Sequence, residues 1–265
     1  MKYLGFREFG LAGAAALGIA APAQAVPVDL ELSLLIDVSG SVDATEYQLQ
    51  RDGYKDAFNS TAVWDAIDAG DLGKIAVNLV FWSTTSVQAL GWTLIDSEAA
   101  SDAFGDAIGA LARPGGIGTF TGITQALEFA TPLFTNGYEG TRSVIDVSGD
   151  GRENVFGGSL GSETAAKDAA LLAASSAACA GGIDSINGIA IQSATLETYY
   201  DDFLVCGAKG FSLFASNFST FGSAIDDKLI AEITDTPPSV VPLPVPAVLL
   251  LSGLGGLFAV GRRRS

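Results

Sequence analysis

The residues of this chain best suited to chemistry are oxygen donors, and they are densest in Asp37-Val38-Ser39-Gly40-Ser41. One carboxylate and two hydroxyls at alternate positions form a hard-ligand pattern that suits a divalent cation such as Mg²⁺. Two further stretches carry donors of the same kind. Gly115-Gly116-Ile117-Gly118-Thr119-Phe120-Thr121-Gly122 brings hydroxyls out of a glycine run, and Ser148-Gly149-Asp150-Gly151 brings a carboxylate after an apolar segment. The chain has no histidine, which excludes Ser-His-Asp and Cys-His catalysis and ordinary His-based zinc sites.

Positioning these donors requires a sheet. Asp29–Asp37 reads as a strand that alternates and then turns continuously apolar, the pattern of a strand covered on both faces. Further strands are predicted at 74–82, 88–95, 142–147, 184–191 and 211–215, and helices at 43–59, 97–112, 121–134, 162–179, 195–204 and 216–234. Strands two and three are close enough for a hairpin through Ser83-Thr84-Thr85-Ser86; helices separate the others. The alternation predicts an α/β fold with a doubly wound, mostly parallel central sheet, flanked by helices and carrying one antiparallel edge hairpin. In such a sheet the functional edge is the one where strands end, and all three donor stretches fall there.

In this order the three stretches resemble the metal-ion-dependent adhesion site of the von Willebrand factor type A (VWA) domain. The first matches the D-x-S-x-S motif at every defined position. The resemblance implies that Ser39 and Ser41 bind Mg²⁺ through their hydroxyls, with Mn²⁺ or Ca²⁺ as alternatives, and that Asp37 acts through a water. Thr119 matches the threonine of the second loop and Asp150 the aspartate of the third, while Gly149 stands where Thr or Ser is usual. The resemblance covers roughly residues 28 to 234, and more narrowly the chain looks like an uncharacterised exported bacterial VWA-like family. It implies a domain that engages a protein or extracellular-matrix ligand through that ligand's carboxylate. Two other readings stay open. One is a Mg²⁺-dependent phosphohydrolase, against which Ser39 stands where a second aspartate is needed. The other is a passive surface protein with a vestigial site.

Each donor also has a plainer role. Ser41 and Asp43 could be helix N-caps, Thr119 a turn residue and Asp150-Gly151 a simple turn. Asp146 lies inside an apolar strand, where an unpaired carboxylate is costly; Arg142 or Arg152 could pair with it. Tyr199-Tyr200-Asp201-Asp202 reads as a recognition edge or, more plainly, a solvated acidic helix start, and Trp82 and Trp92 as core or hairpin packing.

Both ends of the chain read as targeting segments. Residues 1–25 carry Lys2 and Arg7, an apolar core from Leu11 to Ala21, and Ala23-Gln24-Ala25, the order of a secretory signal peptide. Residues 26–236 are expected to form the VWA-like domain and 237–246 a proline-rich linker with a sorting motif. Residues 247–265 are an apolar, glycine-rich helix closed by Arg262-Arg263-Arg264. The last 25 residues or so resemble sorting signals of the VPLPA and PEP-CTERM type, processed by an exosortase-like enzyme; Val245 stands where Ala is usual. A plain membrane anchor is the alternative, and both place the domain in the cell envelope or at the surface.

Without its ends the domain holds 9 basic and 29 acidic residues, a net charge of −20. That surface repels nucleic acid and anionic lipid and attracts divalent cations. The two cysteines, Cys179 and Cys206, each precede a predicted strand at the edge opposite the donors. In an exported protein a disulfide is the natural reading, with two buried thiols as the alternative.

Overall fold

The computed structural model describes residues 25–155 and 164–238. The signal segment up to Gln24, the sorting motif and the hydrophobic C-terminal helix lie outside the described residues. Among those described, no helix is long and apolar enough to cross a membrane.

The elements, numbered in chain order, are β1 (Val26–Val28), β2 (Leu30–Asp37), α1 (Ala44–Phe58), α2 (Thr61–Asp68), β3 (Ile75–Trp82), β4 (Ser86–Ile95), α3 (Glu98–Gly109), α4 (Ile123–Ala130), β5 (Tyr138–Gly140), β6 (Ser143–Gly149), α5 (Thr164–Ala180), β7 (Ser185–Ile191), α6 (Ala194–Phe203), β8 (Ser212–Ala215) and α7 (Phe218–Ile233). Six strands form one sheet in the order β4-β3-β2-β6-β7-β8. All its pairs are parallel except β3–β4, the edge hairpin.

The central strands are apolar on both faces because both faces are covered. Leu32, Leu34 and Ile36 of β2 pack with α1, α2, α3 and α7, while Leu35 packs with α4, α5 and α6 on the other side. In α1 the buried positions Tyr47, Gln50, Tyr54, Ala57 and Phe58 recur at three- and four-residue spacing, one stripe of the helix. Asp43 caps it, accepting from Thr45 N–H and Glu46 N–H, while Glu46 returns to the Asp43 N–H in a capping box.

Three elements differ from the sequence reading. Residues 61–68 form α2, started by the Ser60 cap. The segment 121–134 is α4 followed by a 3-10 turn over Thr131–Phe134, where Pro132 stands at the start of the turn. A two-stranded parallel ladder of β1 and β5 is too short, at three residues a strand, to show any alternation.

The partner of Asp146 is corrected as well. Neither Arg142 nor Arg152 reaches it. The Lys228 ammonium of α7 lies 2.6 Å from Asp146 Oδ1 and 2.5 Å from Glu232 Oε1, with all three side chains fully buried. Asn187 Nδ2 donates to the same Glu232 oxygen at 2.9 Å. Burial raises both carboxyls, Glu232 to about 7. Two buried acids thus share one cation between β6, β7 and α7.

Both ends of the described chain meet at the edge where the parallel strands begin. Val26 N–H donates to Gly137 O beside β5. Past α7, Asp235 is held by Arg142 at 3.4 Å and by Lys209. The same edge carries the Cys179–Cys206 disulfide, with Cα atoms 6.4 Å apart; it ties the end of α5 to the segment before β8, within ordinary bridging range.

Candidate metal centre

At the opposite edge, β2 ends in Asp37 and β6 ends in Gly149, side by side in the sheet. The chain turns sharply after Asp37 because Ser39 N–H donates back to Asp37 Oδ1 at 2.7 Å. That turn lifts the two serines onto one side: Ser39 Oγ and Ser41 Oγ are 3.1 Å apart, and Ser41 Oγ donates to Asp150 Oδ1 at 2.6 Å. The glycine-rich loop closes over them, with Gly40 N–H donating to Thr119 O at 2.8 Å. Asp37, Ser39, Ser41 and Asp150 form one hydrogen-bonded group, and Thr119 is joined to it through backbone. Asp37 and Ser39 are fully buried, whereas Ser41 and Thr119 are exposed, so the group opens to solvent on one side only.

The scaffold under these side chains is polar and specific. Gln50 of α1, fully buried, donates through Nε2 to Asp37 O at 2.9 Å and accepts Ser148 Oγ at 2.7 Å, clamping the ends of β2 and β6 together. Arg113 Nη2 donates to Val38 O and Ser39 O at 2.8 and 2.7 Å. Thr84 Oγ1 accepts from the N–H groups of Thr119 and Phe120, each at 3.0 Å, and occupies the space a side chain at Gly118 (φ +86°) would need. Gly122 gives α4 no side-chain cap; Glu153 of the third loop accepts the Thr124 N–H instead, at 2.7 Å.

Sequence pattern assigns no site role to Gln50, Arg113 or Thr84, and places Tyr200 elsewhere. Gln50 lies within the predicted helix 43–59, but nothing local says a helical glutamine will face two strand ends. Arg113, the basic residue just before the glycine run, was the one visible signal. Of the run Tyr199-Tyr200-Asp201-Asp202, at the end of α6 and not its start, the two acids are exposed while Tyr199 and Tyr200 are buried in the core; Tyr200 runs beneath the site.

The electrostatics favour a cation. Burial, then the charge of Asp150, raises the Asp37 carboxyl to about 7. Asp150 is raised by burial, opposed by the Ser41 hydrogen bond and reinforced by Glu46. The guanidinium of Arg113 is turned onto carbonyls, not onto these acids. Asp37 Oδ2 is buried and has no hydrogen-bond partner. An orphaned carboxylate oxygen beside two hydroxyls and a second acid fits a hard divalent ion. Among the described residues no group of three or more His, Cys, Asp or Glu could hold a metal; a metal at this edge would draw much of its donor set from neutral hydroxyls.

Three solved structures share the fold. The zinc-occupied MIDAS form of proximal thread matrix protein 1 from the mussel byssus superposes with a TM-score of 0.56 at 15% identity, over 80% of this chain and 50% of that one. The pilus adhesin SpaC of Lactobacillus rhamnosus GG gives 0.57 at 14%, over 80% and 31%. A von Willebrand factor type A protein of Catenulispora acidiphila gives 0.50 at 16%, over 78% and 43%. The chain thus spans half or less of the length of each. No curated protein matches it in sequence. Residues 27–237 match the family described as "Protein of unknown function (DUF1194)", so the chain belongs to the DUF1194 family and has a VWA-like fold.

Proposed function

We propose that this is an exported VWA-like binding domain whose edge, formed by Asp37, Ser39, Ser41, Thr119 and Asp150, holds a divalent cation, Mg²⁺ in the first instance, and through it engages a carboxylate on a protein or matrix ligand. The observation that carries this reading is the buried, unpartnered Asp37 Oδ2 beside the Ser39–Ser41–Asp150 chain of hydrogen bonds.

With mainly hydroxyl donors, a bound ion keeps positive charge and offers an exchangeable position to an external acid. The residues of this chain do the rest. Asp37 and Asp150 supply the negative charge, the turn at Ser39 aims the hydroxyls, and Gln50 and Arg113 hold that turn against the sheet. The neighbours described as an adhesin and a byssus matrix protein support binding over catalysis, and the zinc-occupied relative supports a divalent ion. The signal-like start and the VPLPA-type tail support export and sorting to the envelope by an exosortase-like enzyme.

Calorimetric titration of the purified protein with Mg²⁺ and Mn²⁺, followed by a pull-down from envelope material with and without EDTA, tests the reading. Saturable metal binding and EDTA-sensitive capture are expected. Absence of metal binding, or identical partners retained in chelator, overturns it.

A further inference from the structure

Gly149 occupies the position where the resemblance leads one to look for a third-loop hydroxyl, and the structure shows what stands there instead. A Cβ on Gly149 would lie 2.9 Å from Asp37 Oδ2, 2.9 Å from Tyr200 Oη and 3.1 Å from Trp82 Cζ2. The carboxylate oxygen and the phenol therefore flank the same point from different elements, β2 and α6. A second glycine makes this approach possible. Gly188 of β7 would place a Cβ 2.8 Å from Tyr200 Cδ2, so the ring crosses the sheet face where β7 has no side chain and ends beside β6 where β6 has none. Tyr200 is fully buried, and its one hydrogen bond given by the geometry, to Gly151 O, is long at 3.4 Å. Its proton is weakly committed, and among the described residues Asp37 Oδ2 has no partner in hydrogen-bond geometry.

The geometry points to Tyr200 as a positioning residue of the metal centre: its hydroxyl, admitted by Gly149 and Gly188, takes the place of the absent third-loop hydroxyl beside Asp37 Oδ2, without a hydrogen bond to it in this structure, and is placed to orient that oxygen when an ion is bound. This rests on the metal reading above and adds to it the group that orients the buried acid. Groups behind a ligand that fix its direction are worth about 10- to 100-fold in metal affinity.

The test uses Tyr200→Phe, Gly149→Ser and the double variant, reading the Mn²⁺ dissociation constant by calorimetry and the melting temperature in EDTA. Tyr200→Phe keeps the ring and is expected to lose about tenfold in affinity with its EDTA melting temperature held. Gly149→Ser crowds Asp37 and the phenol and is also expected to weaken binding. In the double variant the serine hydroxyl replaces the lost phenol, and affinity should recover above that of Tyr200→Phe. Wild-type affinity in Tyr200→Phe, or a double variant no better than it, overturns the assignment. Should Tyr200→Phe fail to fold, unchanged affinity in Gly149→Ser does so. Wild-type protein that binds no metal overturns the metal reading itself, a distinguishable result.

Discussion

Ser41 Oγ donates to Asp150 Oδ1 at 2.6 Å, joining residues 109 apart in sequence at the mouth of the site. The bond commits the serine hydroxyl to one acid while its lone pairs remain available on the solvent side. It also makes the first and third loops depend on each other: neither serine nor aspartate can move without releasing the other.

Removing the buried acid should therefore matter most. Asp37→Ala deletes the orphaned oxygen and the acceptor of the Ser39 turn, and is expected to abolish most Mg²⁺ affinity. Thr119→Ala leaves the Gly40–Thr119 backbone bond intact and should cost less in metal and more in ligand capture. Calorimetry with each variant, paired with the EDTA-sensitive pull-down, separates the two effects.

Metal binding should depend on pH through Asp37, whose carboxyl is raised from 3.8 to about 7 by burial and by Asp150. Below that value the ion must displace a proton, so affinity should fall by up to about tenfold per pH unit as acidity increases. In EDTA the sign reverses for folding. The native state holds the extra proton, so this group makes the fold less stable as pH rises from about 4 to about 7. Asp37→Asn should flatten that slope in urea denaturation.

Lys228→Met leaves Asp146 and Glu232 buried without their cation. A loss of about 3–5 kcal/mol is expected near neutral pH. The loss should shrink at pH 5, because Glu232, raised to about 7, is then protonated and leaves less uncompensated charge beside Asp146. Urea melts of wild type and variant at the two pH values measure the difference.

Reducing the Cys179–Cys206 bridge opens a loop of 27 residues, worth roughly 3 kcal/mol in the chain-entropy account. The bridge lies at the edge opposite the donors, so Mn²⁺ affinity in the reduced, still-folded protein should be unchanged.

Local pattern made much of this legible. The parallel sheet followed from apolar strands alternating with helices, and Asp37, Ser39 and Ser41 could be read together because they fall within five residues. What escaped is long-range. The Lys228–Asp146 pair joins α7 to β6, and no spacing in either segment announces the partner; the nearer arginines were the natural but mistaken choice. Gln50 and Tyr200 act through helix faces whose direction only the packed sheet defines. Gly149 was visible as a departure from a motif, but not that Tyr200, fifty-one residues away, stands against it.

The clustering of both ends of the described residues, near Val26 and Asp235, at one edge has a mechanical consequence. Tension applied between the two ends reaches first the three-residue β1–β5 ladder and the Arg142–Asp235–Lys209 fastening. Those contacts sit a full strand length, about 20 Å, from the ends of β2 and β6. The loops bearing Ser39, Thr119 and Asp150 lie off the load path, and a domain pulled from these points would keep those loops in place while its base begins to peel.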